Sequence, residues 1–243
     1  MQMKEITKIT PYKSSDTKKQ QVKLMFDGIA KSYDFLNRFL SLGIDISWRK
    51  KALNMLSNYP IHHLLDIATG TGDFAIMAKK IISPFQITAV DLSSQMLDVA
   101  RKKNGIESIQ FVEGDSENLI FESNTFDGAT VAFGVRNFET LQKGLKEIHR
   151  VLKPGAPFLV LEFSKIEKFP MKQLFYIYSR YIIPVMGKLF SMDFAAYHYL
   201  HESMHAFPSG NDFSDQLRMA GFKFVKLKTF SLGICTAYLS EKQ

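Results

Sequence analysis

The chain has 243 residues, 31 Lys+Arg against 24 Asp+Glu, a net charge of +7, 46% hydrophobic residues and one Cys. That balance excludes a disordered chain and suits one large α/β domain with a sizeable core, while a lone Cys excludes a disulfide framework or a Cys-cluster metal site and suits a reducing cytosol. The start, MQMKEITKITPYKSSDTKK, lacks the apolar core of a secretory signal. Lys172, Arg180 and Lys188 cut the most apolar late stretch into pieces too short to cross a bilayer. The expected location is cytoplasmic, with peripheral contact at the inner face of the cell membrane. Charge is unevenly spread: +6 over residues 1–60, −3 over 61–164 and +4 over 165–243. Basic flanks around an acidic centre argue against a nucleic acid held by phosphate contacts and for a transient anionic membrane surface.

In chain order, Val22, Met25, Phe26, Ile29 and Ala30 lie at helical spacing, and Tyr33, Leu36, Phe39 and Leu40 continue an apolar face up to Gly43. Asp45 or Ser47 is placed to cap a helix over 48–59. Residues 1–60 therefore read as a helical lid, whose aromatic stripe serves either core packing or closure over a ligand. Residues 61–243 read as one domain, its strands at 63–68, 86–92, 108–115, 126–133, 156–163, 223–230 and 234–241 and its helices at 74–82, 93–103, 141–152 and 209–222. That alternation predicts a doubly wound, seven-stranded, mostly parallel sheet of Rossmann-like type. A helical insertion at about 165–208 follows the fifth strand, with Pro184 breaking its helix. It is either a helical pair packed on the domain or a surface for lipid headgroups and a substrate tail. His198, His201 and His205 share one helical face beside Glu202. One of the three as a proton acceptor suits the pattern better than a metal, His198 is a candidate substrate contact, and no metal is expected.

Ligands of such sheets sit beyond the carboxyl ends of the strands, and those ends are acidic: Asp66, Asp91, Asp115 and Glu117. Gly70 and Gly72 flank Thr71 in a turn that brings backbone close to a ligand, and with Ala75 they satisfy the dinucleotide pattern G-x-G-x-x-A. A pyrophosphate would need the helix N-terminus that Asp73 occupies, and no Lys or Arg lies between Asp66 and Lys79. The pocket instead suits S-adenosyl-L-methionine: its cationic groups near the first-strand acid, its ribose on Asp91, its adenine near Asp115 and Ser116. Taken singly, each acid could equally be a helix cap or a solvated loop residue.

The segments LDIATGTGDF, AVDLSSQML and EGDSENLIF resemble the cofactor motifs of class I methyltransferases. Residues 33–37 (YDFLN), continuing to Trp48 and Arg49, and residues 150–155 (RVLKPG), continuing to LEFS at 161–164, are similar to the two signatures of the ubiquinone/menaquinone biosynthesis C-methyltransferases. AFGVRNF at 132–138 and the late AAYHYLHESM also match, so the likeness runs from about Val22 to the last strands. Three departures stand out: Ala68 and Ala156 replace common glycines, both at positions expected to tolerate them, and Ala132 replaces a frequent serine.

The resemblance implies methyl transfer to a ring carbon of a lipid-soluble prenylated hydroquinone, demethylmenaquinol giving menaquinol, with the benzoquinol of the ubiquinone pathway as alternative. The ring carbon becomes a good nucleophile once the neighbouring hydroxyl gives up its proton, so an oxyanion needs stabilising. Arg136 and Asn137, after the fourth strand, are the candidate donors; alternatively Arg136 pairs with an acid such as Asp115. Tyr33, Asp34 and Asn37 are the candidate substrate contacts on the lid. A nucleic-acid methyltransferase and a membrane-binding module remain as other classes. The first usually carries an Asn/Asp-Pro-Pro-aromatic run where this chain has Phe-Gly-Val-Arg-Asn, and the second does not need four strand-end acids. Oligomeric state is left open.

Overall fold

The computed structural model describes residues 9–166, 169–182, 185 and 194–243. Seven strands form one sheet: β1 (His63–Ile67), β2 (Gln86–Asp91), β3 (Ile109–Glu113), β4 (Gly128–Ala132), β5 (Pro157–Phe163), β6 (Phe222–Phe230) and β7 (Cys235–Lys242). Their order is β3-β2-β1-β4-β5-β7-β6; β1 to β5 are parallel, and β7 runs antiparallel to both its neighbours. The apolar runs in the sequence become strands because both faces of the sheet are covered. Leu65, Ile67, Val131, Phe158 and Val160 face one layer; Leu64, Ile87, Ala89, Leu159 and Leu161 face the other. The strand order reverses between β1 and β4, which opens a crevice beyond their carboxyl ends.

The helices are α1 (Lys18–Ile29), α2 (Tyr33–Leu40), α3 (Ile44–Leu53), α4 (Asp73–Ile81), α5 (Ser94–Ala100), α6 (Leu141–Val151), α7 (Met171–Ile177), α8 (Phe194–Ala206) and α9 (Asn211–Met219). Thr17 and Gln20 close a reciprocal capping box at the start of α1. Ser93 accepts from the Met96 N–H and starts α5. The expected cap of α3 differs. That helix begins at Ile44 after Gly43 in the left-handed conformation, so Asp45 lies inside the first turn and Ser47 beyond it. Asp45 accepts from the Ser41 hydroxyl at 2.7 Å and favours the positive end of the helix dipole.

Trp48, Ala52 and Leu53 of α3 and Leu56 just after it pack into the same layer as Leu64 and Ile87. Of the described helices before β1, α1 and α2 instead join Met96, Tyr197 and Tyr199 in a separate cluster. Pro184 and Lys188, on which the kink and part of the basic surface of the insertion were predicted, lie outside the described residues. Among the described residues, no helix is long and apolar enough to cross a membrane.

Ala68 proves less innocuous than its place ahead of the turn suggests. Its φ is 51°, in the left-handed region where a Cβ costs about 1–2 kcal/mol. Its methyl lies where a Cβ on Gly134 would come within 2.6 Å of it, so the two positions exclude each other's side chains. Ala68→Gly is expected to raise Tm by about 2–4 °C in a thermal scan, and Gly134→Ala to lower it by at least as much.

Candidate functional site

Three neighbouring cavities occupy the crevice. The first is lined by Tyr33, Gly70, Asp91, Asp115, Ser116 and Asn137, with Lys19 and Val22 of α1 across it. Gly70 and Gly72 both take positive φ, and a Cβ on Gly72 would meet Phe111 and Ala100 at 3.1–3.2 Å, so the turn needs both glycines. That turn directs the Gly70 N–H onto Asp91 Oδ2 at 2.7 Å, while the Ser93 N–H donates to Oδ1 at 2.8 Å. Burial pushes the Asp91 carboxyl up to about 6.

Asp66 lies beneath the turn rather than on the cavity wall. It is 1% exposed, accepts from Thr69 and Thr130 hydroxyls at 2.6 Å each, and burial likewise pushes it up to about 6. Two acids desolvated against their ordinary ionisation are the signature of a pocket that a bound cation would relieve, and the residues present fit a cofactor of that charge.

Asp115 accepts the Glu117 N–H at 2.8 Å and pairs with Lys19 at 2.6 Å. Ser116 stands beside it on the wall. Lys23 reaches Glu113 and the Leu92 carbonyl, and Asp27 accepts from the Ser93 hydroxyl, so α1 is tied along the strand ends. Lys18 is buried, donates to the Arg136 and Phe138 carbonyls, and is pushed down to about 8 by desolvation.

Asp73 does not stand as the uncompensated charge that its sequence neighbourhood implies. Lys103 at 2.5 Å, Arg38 at 2.8 Å and Arg49 at 3.2 Å converge on it, holding its carboxyl below the usual range despite partial burial. The case against a pyrophosphate therefore rests on Asp66 and Asp91, not on Asp73.

The second cavity adjoins the first through Phe26, Tyr33, Phe133 and Asn137, and adds Asn37, Arg136 and Tyr199. Arg136 is 5% exposed and its Nη1 donates to Glu162 Oε1 at 2.9 Å and to the Phe133 carbonyl at 2.5 Å. Its acid partner is thus Glu162 and not Asp115. Arg136 Nε is buried with no hydrogen-bond partner among the described residues. Tyr199 donates to Asn137 Oδ1 at 3.2 Å, and burial raises its hydroxyl well above the ordinary value. Tyr33 is raised by the same cause and stacks edge-on against Phe26.

Gly70, Asp91, Asp115, Ser116, Tyr33, Asn37, Arg136 and Asn137 are therefore brought together around the two cavities. Thr71 and Gly72 shape the turn, and Thr71 donates to Asp34 at 2.5 Å. Asp34, predicted at the substrate, turns instead to Thr71 and to Lys103 at 2.6 Å, bracing α2 against the turn. His198 is not among the residues lining the described cavities; its Nδ1 lies 3.8 Å from Glu202 on a partly exposed face. His201 and His205 pack ring to ring with Tyr176, and desolvation drives His201 down to about 4.

Sequence reasoning missed Lys19, Glu162 and Tyr199. Glu162 carried a signal, since an acid inside the apolar run PFLVLEF must find a buried partner.

The sheet order, the antiparallel β7 between β5 and β6, and the glycine turn facing strand-end acids define the class I methyltransferase fold. The crystal structure of a SAM-dependent methyltransferase from Thermotoga maritima, described as a possible histamine N-methyltransferase, shares it with a TM-score of 0.65 at 20% identity, covering 91% of this chain and 99% of that one. Over residues 14–242 the sequence matches the ubiE/COQ5 methyltransferase family, and the chain belongs to it. A demethylmenaquinone methyltransferase from Bacteroides fragilis is 47% identical, covering 97% of this chain and 98% of that protein. The ubiquinone/menaquinone biosynthesis C-methyltransferase UbiE of Geotalea daltonii is 41% identical, covering 93% and 97%. The chain is an enzyme, a methyltransferase.

Proposed function

We propose that the chain methylates a ring carbon of a prenylated hydroquinone, demethylmenaquinol giving menaquinol, with S-adenosyl-L-methionine as donor. The observation that carries this is the junction of an acid-lined cleft with a chamber walled by aromatic and aliphatic side chains, whose polar members are Arg136, Asn137, Asn37 and the hydroxyls of three tyrosines. A flat ring bearing hydroxyls fits such a chamber. Its relatives from Bacteroides fragilis and Porphyromonas gingivalis, named demethylmenaquinone methyltransferases, support the naphthoquinol over the benzoquinol.

When bound, the cofactor supplies an electrophilic methyl on a sulfonium. Asp91 would accept its ribose hydroxyls, Asp66 would supply negative potential from beneath the turn, and Asp115 and Ser116 would border the adenine. In the chamber, Arg136 faces the ring oxygen beside the reacting carbon. Held by Glu162 through Nη1, it presents its remaining N–H groups to that oxygen, lowers its pKa and stabilises the phenolate that makes the carbon nucleophilic. Asn137, oriented by Tyr199, is the second donor. The α1 helix across the cleft keeps water from the methyl group. The exposed apolar side chains Phe35, Leu42 and Leu174, with Lys50, Lys51 and Arg180, suit a cytoplasmic enzyme that rests on an anionic membrane to reach a lipid-soluble substrate.

The test is transfer of labelled methyl from the cofactor to demethylmenaquinol and, in parallel, to the demethylated benzoquinol. Label in the naphthoquinol is the expected result; label in the benzoquinol alone moves the enzyme to the other pathway, and label in neither overturns the reading.

A further inference from the structure

The third cavity is the largest of the three and lies beside the ring chamber. It encloses about 250 Å³ and is walled by Leu40, Trp48, Phe175, Leu200, Met204 and Ile234. Close packing is the rule in protein interiors, so an apolar space of this size beside a site asks for an occupant.

Two features say what occupies it. The first is continuity. The cavity shares Asn37, Phe133, Phe163 and Leu200 with the ring chamber, and the Phe133 and Phe163 rings, 4.7 Å apart, form the partition between them. At its other end stand Leu42, 83% exposed, and Ile44, 43% exposed, so it runs from the chamber to the surface.

The second feature is the state of its polar groups. The Tyr178 hydroxyl donates to the Leu40 carbonyl, Trp48 Nε1 donates to Ser231 Oγ at 2.8 Å, and Ser41 donates to Asp45 Oδ1, whose Oδ2 faces Arg49 at 3.6 Å and Arg38 at 3.7 Å. The Tyr178, Trp48 and Ser41 donors are engaged within the protein, and the Asp45 Oδ2 charge, which accepts no hydrogen bond among the described residues, is balanced by the two arginines. A hydrocarbon chain can lie along the Leu40, Trp48, Phe175, Leu200, Met204 and Ile234 wall without breaking any of these hydrogen bonds.

We infer that this cavity is the conduit for the substrate's isoprenoid tail, which leaves the ring chamber past Phe133 and Phe163 and emerges between Leu42 and Ile44. The inference rests on the prenylated-quinol reading above, but it can be read without methyl transfer. Trp48 is the only tryptophan in the chain and lies on the conduit wall. Farnesol, a tail without a ring, is titrated into the full-length protein while Trp48 emission is followed. A saturable shift in emission is expected. Met204→Phe and Ile234→Phe, which narrow the conduit with apolar bulk, should each weaken it at least fivefold with Tm held within a few degrees. Farnesol should also compete with the tailed quinol but not with the cofactor in initial-rate assays. No emission change in wild type, an undiminished response in both variants, or competition with the cofactor overturns the conduit. Methylation of a tailless quinol alongside a silent Trp48 would reject the conduit and leave the methyl-transfer reading standing.

Discussion

Arg136→Ala is expected to lower kcat by about 10²–10³-fold while leaving the cofactor Kd within about threefold. The magnitude is that of deleting one oxyanion donor from an organised site. The selectivity follows from placement, since Arg136 lines the ring chamber and not the cofactor cleft. The variant should still fold, because Glu162 is already raised by burial and takes up a proton once the guanidinium is gone. That proton has a signature. Glu162 is then a group whose folded pKa is raised above its unfolded value by burial, so its contribution to stability is present at low pH and is lost as pH rises through the folded pKa. Tm of Arg136→Ala should fall steadily on going from pH 5 to pH 8, by more than wild type, in parallel scans. Arg136→Lys keeps the charge without the fork and should recover the pH behaviour better than the rate. Near-normal turnover of Arg136→Ala removes the proposed role.

Asp91→Ala should act on the other chamber, weakening cofactor binding by about 10²–10³-fold in calorimetric titrations. Two ribose hydroxyls donating to a charged acceptor contribute about 1.5–3 kcal/mol each, and the Gly70 turn loses the carboxylate that fixes it. The same residue predicts a pH dependence. Burial raises the Asp91 carboxyl to about 6, so part of the population is protonated in mildly acidic solution. Cofactor affinity should therefore rise with pH through about 6 and level off above 7. Asp91→Asn should shrink that step, leaving the part due to Asp66, which titrates in the same range. In the free enzyme the sign is opposite: the stability that protonated Asp91 and Asp66 lend below pH 4 is lost as pH rises through 6. A pH-independent Kd in wild type would mean that neither acid faces the cofactor's charge.

The strands were legible because a strand covered on both faces must be apolar along its whole length, and runs such as HLLDI and PFLVLEF announce themselves. The strand-end acids were legible for the same reason inverted, as charges at the border of apolar runs. What could not be read is whatever the tertiary fold brings in from afar. Asp73 looked unpaired because its partners Arg38, Arg49 and Lys103 are 24–35 positions away. Lys19 meets Asp115 across 96 positions, and no local pattern marks it. Asp34 and His198 were placed by their company in the sequence, yet a helix presents neighbouring side chains in different directions, and theirs point away from the cavities. Ala68 shows the limit from the backbone side: its left-handed φ goes with a close approach to Gly134, just past the end of β4 and 66 positions away.

One helix walls two rooms. Lys19 and Val22 of α1 border the cofactor cleft, Met25 and Ile29 border the ring chamber, and Phe26 borders both. Any displacement of α1 large enough to let the spent nucleoside out also uncovers the ring, so the two exits are geared to one movement. On the proposed function, displacement of α1 is therefore expected to open the nucleoside and ring sites together.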